Sequence, residues 1–373
     1  MRDYRCTIIA DPEGSAWEFA QGVFNYLIEK EEKDSTKARA SFSQSINDFL
    51  EREFPSDPQN QRLSFAQAIY DTSNHKKSLF TLNPVDVRNF PDNEFKTRIR
   101  ENIRRSNCFF IHDSNEDPSR WFTSLSMVNH ALKNSSAHKI IDVLPYLKFS
   151  RQDRKDESRV PITAKVVADA IGLYANAVLT VDVHNESIQG FYNIAFDSLP
   201  PYPTLFRELN KILQKGELEN LVVLSPDEGA AKKIRKYLEH TGIDLAIVDK
   251  HRKVNGELGE SYGVLGPEKI EGKIVLLPDD IIASAETQIQ GACAAKNHKA
   301  KKVIGYGSHA LFTKGYDNAI KNLDMIIIGD TIKHEPHPSI KIVSFIPLIG
   351  EAIYRINKGD SISALWRKFN LLS

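Results

Sequence analysis

Short apolar runs that end abruptly in polar loops recur along this chain, and the sharpest is Lys273-Ile-Val-Leu-Leu-Pro-Asp-Asp-Ile-Ile-Ala-Ser-Ala-Glu-Thr287. A run such as Ile274 to Leu277 suits a parallel strand covered on both faces, and α/β sheets bind ligands beyond the carboxyl ends of such strands. The stretch therefore reads as a buried strand that delivers Asp279 and Asp280 to a ligand. Two neighbouring acids can accept hydrogen bonds from a vicinal diol, as on a ribose. Ala283, Ser284, Ala285 and Thr287 are small or hydroxylic, Glu286 stands among them, and a helical stretch from Gln288 to Asn297 follows. Such a turn can seat a phosphate on backbone N–H groups. A solvated turn that happens to hold two acids accounts for the same residues equally well.

The same alternation runs through the rest of the chain. Arg5 to Ala10 is a strand that breaks at Asp11-Pro-Glu-Gly14, and Ser15 can cap a helix whose Trp17, Phe19, Ala20, Val23, Phe24 and Leu27 recur at helical spacing. From about residue 31 to 84 charge-rich helical segments take over, around Phe42, Ile46, Phe49 and Leu50 and then Phe65, Ala68, Ile69 and Tyr70. They read as a helical insertion. Order resumes at Val85 to Phe90 and Phe95 to Ile103, and strands at Cys108 to Ile111, Ile140 to Leu147 and Ala177 to Val181 then alternate with helices at Trp121 to Leu132 and Ile162 to Tyr174. Such alternation predicts a parallel sheet rather than a barrel of hairpins.

The second half repeats the plan. Helices are expected near Tyr202 to Leu213 and Ala230 to Glu239, and strands at Leu221 to Leu224, Asp244 to Val248, Ile274 to Leu277, Lys302 to Tyr306, Met325 to Ile328 and Ile340 to Val343. Residues 255 to 266 form a Gly-rich, mobile loop, and a helical tail from Ile346 to Trp366 packs back on the body. The 373-residue length suits two domains, residues 1–198 and 199–345, followed by the tail 346–373.

Lys plus Arg balances Asp plus Glu at 49 each, so net charge points to neither a nucleic-acid nor a membrane partner. Cys6, Cys108 and Cys293 are widely spaced, which argues against a disulfide framework or a zinc site. No run approaches the ~18 apolar residues of a membrane span. A cytoplasmic protein is expected.

Four loops after strand ends share Asp, His, Lys and Arg. Asp182-Val-His184 and Asp227 offer oxygen and imidazole ligands to a magnesium ion completed by phosphates, although His184 could simply end its strand and Asp227 simply cap a helix. Lys250 and Arg252 could neutralise a transferring phosphoryl group, and Arg151 with Gln152 could hold a nucleotide. Taken singly, each of these is equally well a solvated surface.

Taken in order, these motifs resemble the ribose-phosphate diphosphokinases, also called phosphoribosyl pyrophosphate synthetases. Arg151-Gln-Asp-Arg-Lys-Asp156 with Pro161-Ile-Thr-Ala-Lys165 is similar to the family's ATP loop and following helix. Thr180-Val-Asp-Val-His184 with Ile188-Gln-Gly-Phe191 resembles its magnesium-histidine segment, and Ser225-Pro-Asp-Glu-Gly229 its second magnesium site. Asp249-Lys-His-Arg252 resembles the catalytic flexible loop, Phe90-Pro-Asp-Asn-Glu94 the adenine-contacting turn, and Pro347 to Ile353 the C-terminal helix. The resemblance implies two phosphoribosyltransferase-like α/β domains, with the helical insertion in the first. It further implies Mg²⁺-dependent transfer of diphosphate from ATP to the anomeric hydroxyl of a ribose 5-phosphate group, with AMP leaving. In that scheme Phe90, Asp92 and Glu94 contact adenine, Arg151, Gln152 and Asp156 belong to the ATP loop, and His184 and Asp227 meet the metal. Lys250 and Arg252 stabilise the moving charge, and Asp279 and Asp280 hold the ribose diol. The family forms hexamers or related oligomers with sites near subunit boundaries, so a homo-oligomer is expected.

One loop departs from the family pattern. The family's acceptor loop reads Asp-Asp, two apolar residues, Asp-Thr, a small residue, then Gly-Thr; here Ala283 replaces an acid and Glu286 adds one, beside Ser284, Ala285 and Thr287. Two unit charges ~4 Å apart repel by ~1 kcal/mol in water and ~4 kcal/mol at an intermediate dielectric, so Glu286 facing a phosphate dianion would weaken its binding. An outward Glu286 would instead favour the helix N-terminus. The first case points to a ribose 5-phosphate bearing a further group, with ADP-ribose the leading example, housed with help from the insertion. Phage-encoded enzymes resembling this family make ADP-ribose 1-pyrophosphate in NAD salvage, which would place the chain in a host cytosol. The competing readings are an ordinary phosphoribosyl pyrophosphate synthetase and a catalytically silent regulatory subunit.

Overall fold

The computed structural model describes residues 4–53, 78–214, 216–239, 241–251 and 261–367. The first half contributes β1 (Cys6–Ala10), α1 (Ala16–Glu53), β2 (Phe80–Asn89), β3 (Phe95–Ile99), β4 (Asn107–Ile111), α2 (Pro118–Asn134), β5 (Lys139–Leu144), α3 (Thr163–Gly172), β6 (Ala177–Val181) and β7 (Ala195–Leu199). The second contributes α4 (Tyr202–Ile212), β8 (Leu221–Ser225), α5 (Glu228–Leu238), β9 (Asp244–His251), β10 (Ser261–Leu265), β11 (Ile274–Ile282), α6 (Glu286–Asn297), β12 (Lys302–Ala310), α7 (Asp317–Asn322), β13 (Met325–Gly329) and β14 (Ile340–Val343). Two C-terminal helices follow, α8 (Ile346–Lys358) and α9 (Ala364–Arg367).

The strands build two seven-stranded sheets of identical plan, β3-β2-β1-β4-β5-β6-β7 and β10-β9-β8-β11-β12-β13-β14. All neighbours pair in parallel except the edge hairpins β2/β3 and β9/β10. The fold is thus α/β with mainly parallel sheets, as the alternation predicts. Central strands β1, β4 and β8 are buried along their whole length, whereas edge strand β3 is only half-buried on alternate residues. That contrast is the mark of sheets covered on both faces. Helices α1 and α8 cover one face of the first sheet and α2 and α3 the other; α6 and α7 oppose α4 and α5 across the second. In each sheet the chain reverses its winding once, between β1 and β4 and between β8 and β11. Such switch points leave a crevice at the carboxyl ends of the two strands.

Several sequence expectations need correction. The helix read from Ser15 onward does not stop near residue 31 but continues unbroken to Glu53, and strand β2 already begins at Phe80. Residues 31–53 of the charged stretch therefore supply the second half of α1, because no proline or glycine interrupts them before Pro55. Phe65, Ala68, Ile69 and Tyr70 lie outside the described residues. Ser15 does not cap α1 with its hydroxyl, which donates to Asp113 Oδ1 at 2.5 Å instead. Within the stretch read as mobile, residues 261–265 form β10, antiparallel to β9; residues 252–260 lie outside the described residues.

A candidate diphosphate-transfer site at the seam of the two halves

The switch point between β8 and β11 opens into a cleft of about 350 Å³, lined by Asp227, Asp279, Asp280 and Ser284 to Thr287 from the second half and by Arg151 and His184 from the first. Strand register explains how the acids reach it. β11 pairs with β8 only from Ile274 to Leu276, but with β12 as far as Ile282. Pro278 has no N–H to offer a further ladder bond, so the strand is free on its β8 side where Asp279 and Asp280 follow.

The two acids have different partners. Asp280 Oδ2 lies 2.6 Å from His184 Nδ1, joining the second half to the first. Burial opposes ionisation of Asp280, but the hydrogen bond and charge of His184 outweigh it and bring its carboxyl down to about 2. The same hydrogen bond raises His184 above the ordinary imidazole range, against the opposing effect of burial. Asp279 is driven well above the carboxylate range by burial and then by the charge of Asp280. The two carboxyls, adjacent in the chain, therefore sit in opposite electrostatic settings in one cleft.

The loop between β11 and α6 is strained at one residue. Ala285, immediately before α6, holds φ at 64°, a left-handed conformation that a residue bearing a Cβ adopts at a cost of about 1 kcal/mol. Glu286 opens α6, exposed, and receives the Lys314 ammonium at 2.6 Å. Its charge is therefore compensated, which the sequence did not show.

The remaining expected site residues are distributed unevenly. Asp227 receives the Ala230 N–H on Oδ1 at 2.8 Å, so it caps α5 as well as lining the cleft. Gln152 spends its side-chain carbonyl on the Thr163 hydroxyl at 2.6 Å and its backbone carbonyl on the Ala164 N–H, thereby holding the start of α3. Asp156 is exposed and does not line the cleft. Phe90, Asp92 and Glu94 form the exposed tip of the β2/β3 hairpin, where Phe90 N–H donates to the Glu94 carbonyl at 2.7 Å. None of the three lines the cleft, because β2 stands three strands away from β5, about 14 Å across the sheet. Lys250 lies near the end of β9, one strand over from the loop that carries Asp227. Arg252 lies outside the described residues.

Asp182, which the sequence offered as a metal ligand, is committed elsewhere. It is buried with φ at 44°, accepts from Lys233 of α5 and takes the Ser308 hydroxyl at 2.5 Å. Lys233 is itself partly buried; that burial works against its charge, and the Asp182 carboxylate more than offsets it. His309 adds a further tie across the seam, its Nε2 3.0 Å from the Val181 carbonyl. Among the described residues no group of three or more His, Cys, Asp and Glu side chains converges as a metal cage.

Comparison with known proteins decides the family. Residues 59–173 match the sequence model of the N-terminal domain of ribose phosphate pyrophosphokinase, and residues 262–367 that of the phosphoribosyl synthetase-associated domain. The ribose-phosphate pyrophosphokinase of Thermotoga maritima is 39% identical over 290 residues, covering 77% of this chain and 91% of that protein. That of Thermosipho africanus is 37% identical over 293 residues, covering 77% and 90%. The chain belongs to the ribose-phosphate pyrophosphokinase family. It is an enzyme of the ribose-phosphate diphosphokinase type, which removes the silent-subunit reading. The crystal structure of phosphoribosylpyrophosphate synthetase from Mycobacterium smegmatis shares the fold, with a TM-score of 0.71 at 21% identity over 95% of this chain and 99% of that one. No helix among the described residues of this pyrophosphokinase is long and apolar enough to cross a membrane.

The geometry also brings forward residues that the sequence left unmarked. Asp153, inside the ATP-loop motif, accepts from Asn185 Nδ2 at 2.6 Å and so ties the Arg151 loop to the His184 loop. Lys233 and Lys314 carry no local signal at all. Each meets its partner only through packing between segments far apart in the chain.

Proposed function

We propose that the chain transfers the β,γ-diphosphate of ATP to the anomeric hydroxyl of ribose 5-phosphate. The observation that supports this reading is the seam contact between His184 and Asp280, which brings the Arg151 and His184 loops of the first half and the Asp279 to Thr287 loop of the second into one cleft. In the proposed reaction the anomeric oxygen attacks the β-phosphorus, the bond from the β-phosphorus to the bridging oxygen breaks, and AMP leaves. Asp279 faces the ribose diol, and the Ser284 to Thr287 loop faces the 5-phosphate. Arg151 contacts the ATP phosphates, while Lys250 and Arg252 meet the charge that develops on the leaving group; positioning and electrostatics supply most of such catalysis.

The donor set suits Mg²⁺. With Nδ1 held by Asp280, His184 has one ring nitrogen left, and Asp227 has the oxygen not used on Ala230; the substrate's phosphates would complete a largely hydrated ion. Bound there, the ion would neutralise and template the diphosphate. Asp280 thus acts on the sugar site less than Asp279 does, and its main task is to orient the imidazole. The exposed Phe90, Asp92 and Glu94 hairpin suits a neighbouring copy of the chain, in keeping with a homo-oligomer whose adenine site is completed between subunits.

The case for ADP-ribose drew on the altered acceptor loop and the insertion, and one part of it weakens because Glu286 is paired with Lys314. AMP release should be followed with ATP, Mg²⁺ and either ribose 5-phosphate or ADP-ribose. Faster release with ribose 5-phosphate is expected, together with a loss of turnover of about a hundredfold or more in Lys250→Ala at little change in nucleotide binding. Faster release with ADP-ribose would reinstate that acceptor.

A further inference from the structure

Glu286 is the residue of the acceptor loop that a phosphate site explains least, and its surroundings are built rather than incidental. The loop after β12 is stapled to the acceptor loop by backbone. Leu311 N–H donates to the Ile282 carbonyl at 2.8 Å, Thr313 N–H to the Ala283 carbonyl at 2.9 Å, and the Thr313 hydroxyl to the same oxygen at 3.3 Å. Phe312, buried in the core of the second half, turns the chain with φ at 45°, and Gly315 closes the turn on the Phe312 carbonyl at 2.8 Å. Lys314 lies inside that turn, so its backbone is fixed beside the acceptor loop, within reach of Glu286. Its ammonium meets Glu286 at 2.6 Å, with both side chains reachable from solvent.

We propose that Lys314 is a specificity-determining residue for the acceptor's 5-phosphate and that Glu286 is its internal placeholder, holding the ammonium until the phosphate takes it. This rests on the reading of the cleft as a ribose 5-phosphate site and adds to it the group that selects a phosphorylated over an unphosphorylated sugar. A cation held by a carboxylate before the sugar binds is already ordered near the anion it will receive. The carboxylate competes with that anion, so the two residues act on affinity in opposite directions. A purely structural salt bridge would act otherwise, since losing either partner would weaken the loop and the site alike. Because the pair is exposed and screened by salt, the effects are modest and shrink as ionic strength rises.

Calorimetric binding of ribose 5-phosphate to the full-length wild type, Lys314→Gln, Glu286→Gln and the double variant tests the proposal without requiring turnover. Affinity should fall about fivefold or more in Lys314→Gln and rise about twofold or more in Glu286→Gln, with both shifts reduced at 0.5 M salt. The double variant should resemble Lys314→Gln, because the placeholder has no effect once the cation is gone. Thermal unfolding of the same proteins keeps a folding defect distinguishable from a binding one. Affinity that moves in the same direction in both single variants, or does not move, overturns the proposal. A wild type that binds no ribose 5-phosphate overturns the reading of the cleft as well.

Discussion

Asp330 lies under the first turn of α8, where its carboxylate accepts from the Ser344 hydroxyl at 2.5 Å and from the Phe345 N–H at 2.8 Å. Burial is the largest influence on it and pushes its carboxyl up to about 6, the two hydrogen bonds opposing. In the unfolded chain it titrates near the ordinary value of about 4. Between those values the folded protein binds more protons than the unfolded one, so this group takes stability away as pH rises from about 4 to 6, with no further change above. Asp330→Asn keeps the shape without the buried charge. The variant should exceed the parent at pH 8 by on the order of 1–3 kcal/mol in urea unfolding, and the gap should narrow as pH falls toward 4. A gap that ignores pH would refute the assignment. Residues such as Asp279, Asp280 and His184 were legible in the sequence because each follows an apolar run whose end must face a crevice. Asp330, Lys233 and Lys314 were not, since their roles arise from partners brought together by tertiary register, which leaves no periodic trace in the chain.

At the scale of elements, α1 and α8 pack closely, and two glycines allow it. A Cβ on Gly350 would stand 2.5 Å from Tyr26 Cδ1, and one on Gly22 would stand 2.6 Å from Ile346 Cδ1. Around that contact Tyr26 donates to Glu351 at 2.9 Å and Tyr354 to Asp34 at 2.5 Å. Gly350→Ala forces the helices apart and should cost about 1–3 kcal/mol, whereas Gly190→Ala, with nothing within 4 Å of the new methyl, should leave the denaturation midpoint nearly unchanged. Equal midpoints for the two variants would show that the crossing yields without strain. Most helices and strands could be read from apolar spacing. β7 could not, because Ala195-Phe-Asp-Ser-Leu199 is an edge strand with no apolar run. The length of α1 was missed for the opposite reason: its later turns carry charges on nearly every face, so periodicity fades while the helix persists.

At the scale of the whole molecule, the seam is held by buried polar groups rather than by an apolar plug alone. Lys233→Met would leave Asp182 buried without its cation, and breaking such a pair costs about 3–5 kcal/mol. The expected outcome is a lowered midpoint of unfolding that Asp182→Asn, added to Lys233→Met, partly restores. If the double variant is no more stable than the single one, the pair is not what joins the halves. The two sheets share one strand order, yet only the crevice at β8 and β11 receives Arg151 and His184 across the seam.

That division has a consequence for genetics. Because Arg151 and His184 come from one half and Asp227, Asp279 and Asp280 from the other, neither half alone can rebuild the cleft. A chain severed in the short link between β7 and α4 should give two inert polypeptides that restore AMP release when expressed together, and the strength of that rescue would report how firmly the seam closes.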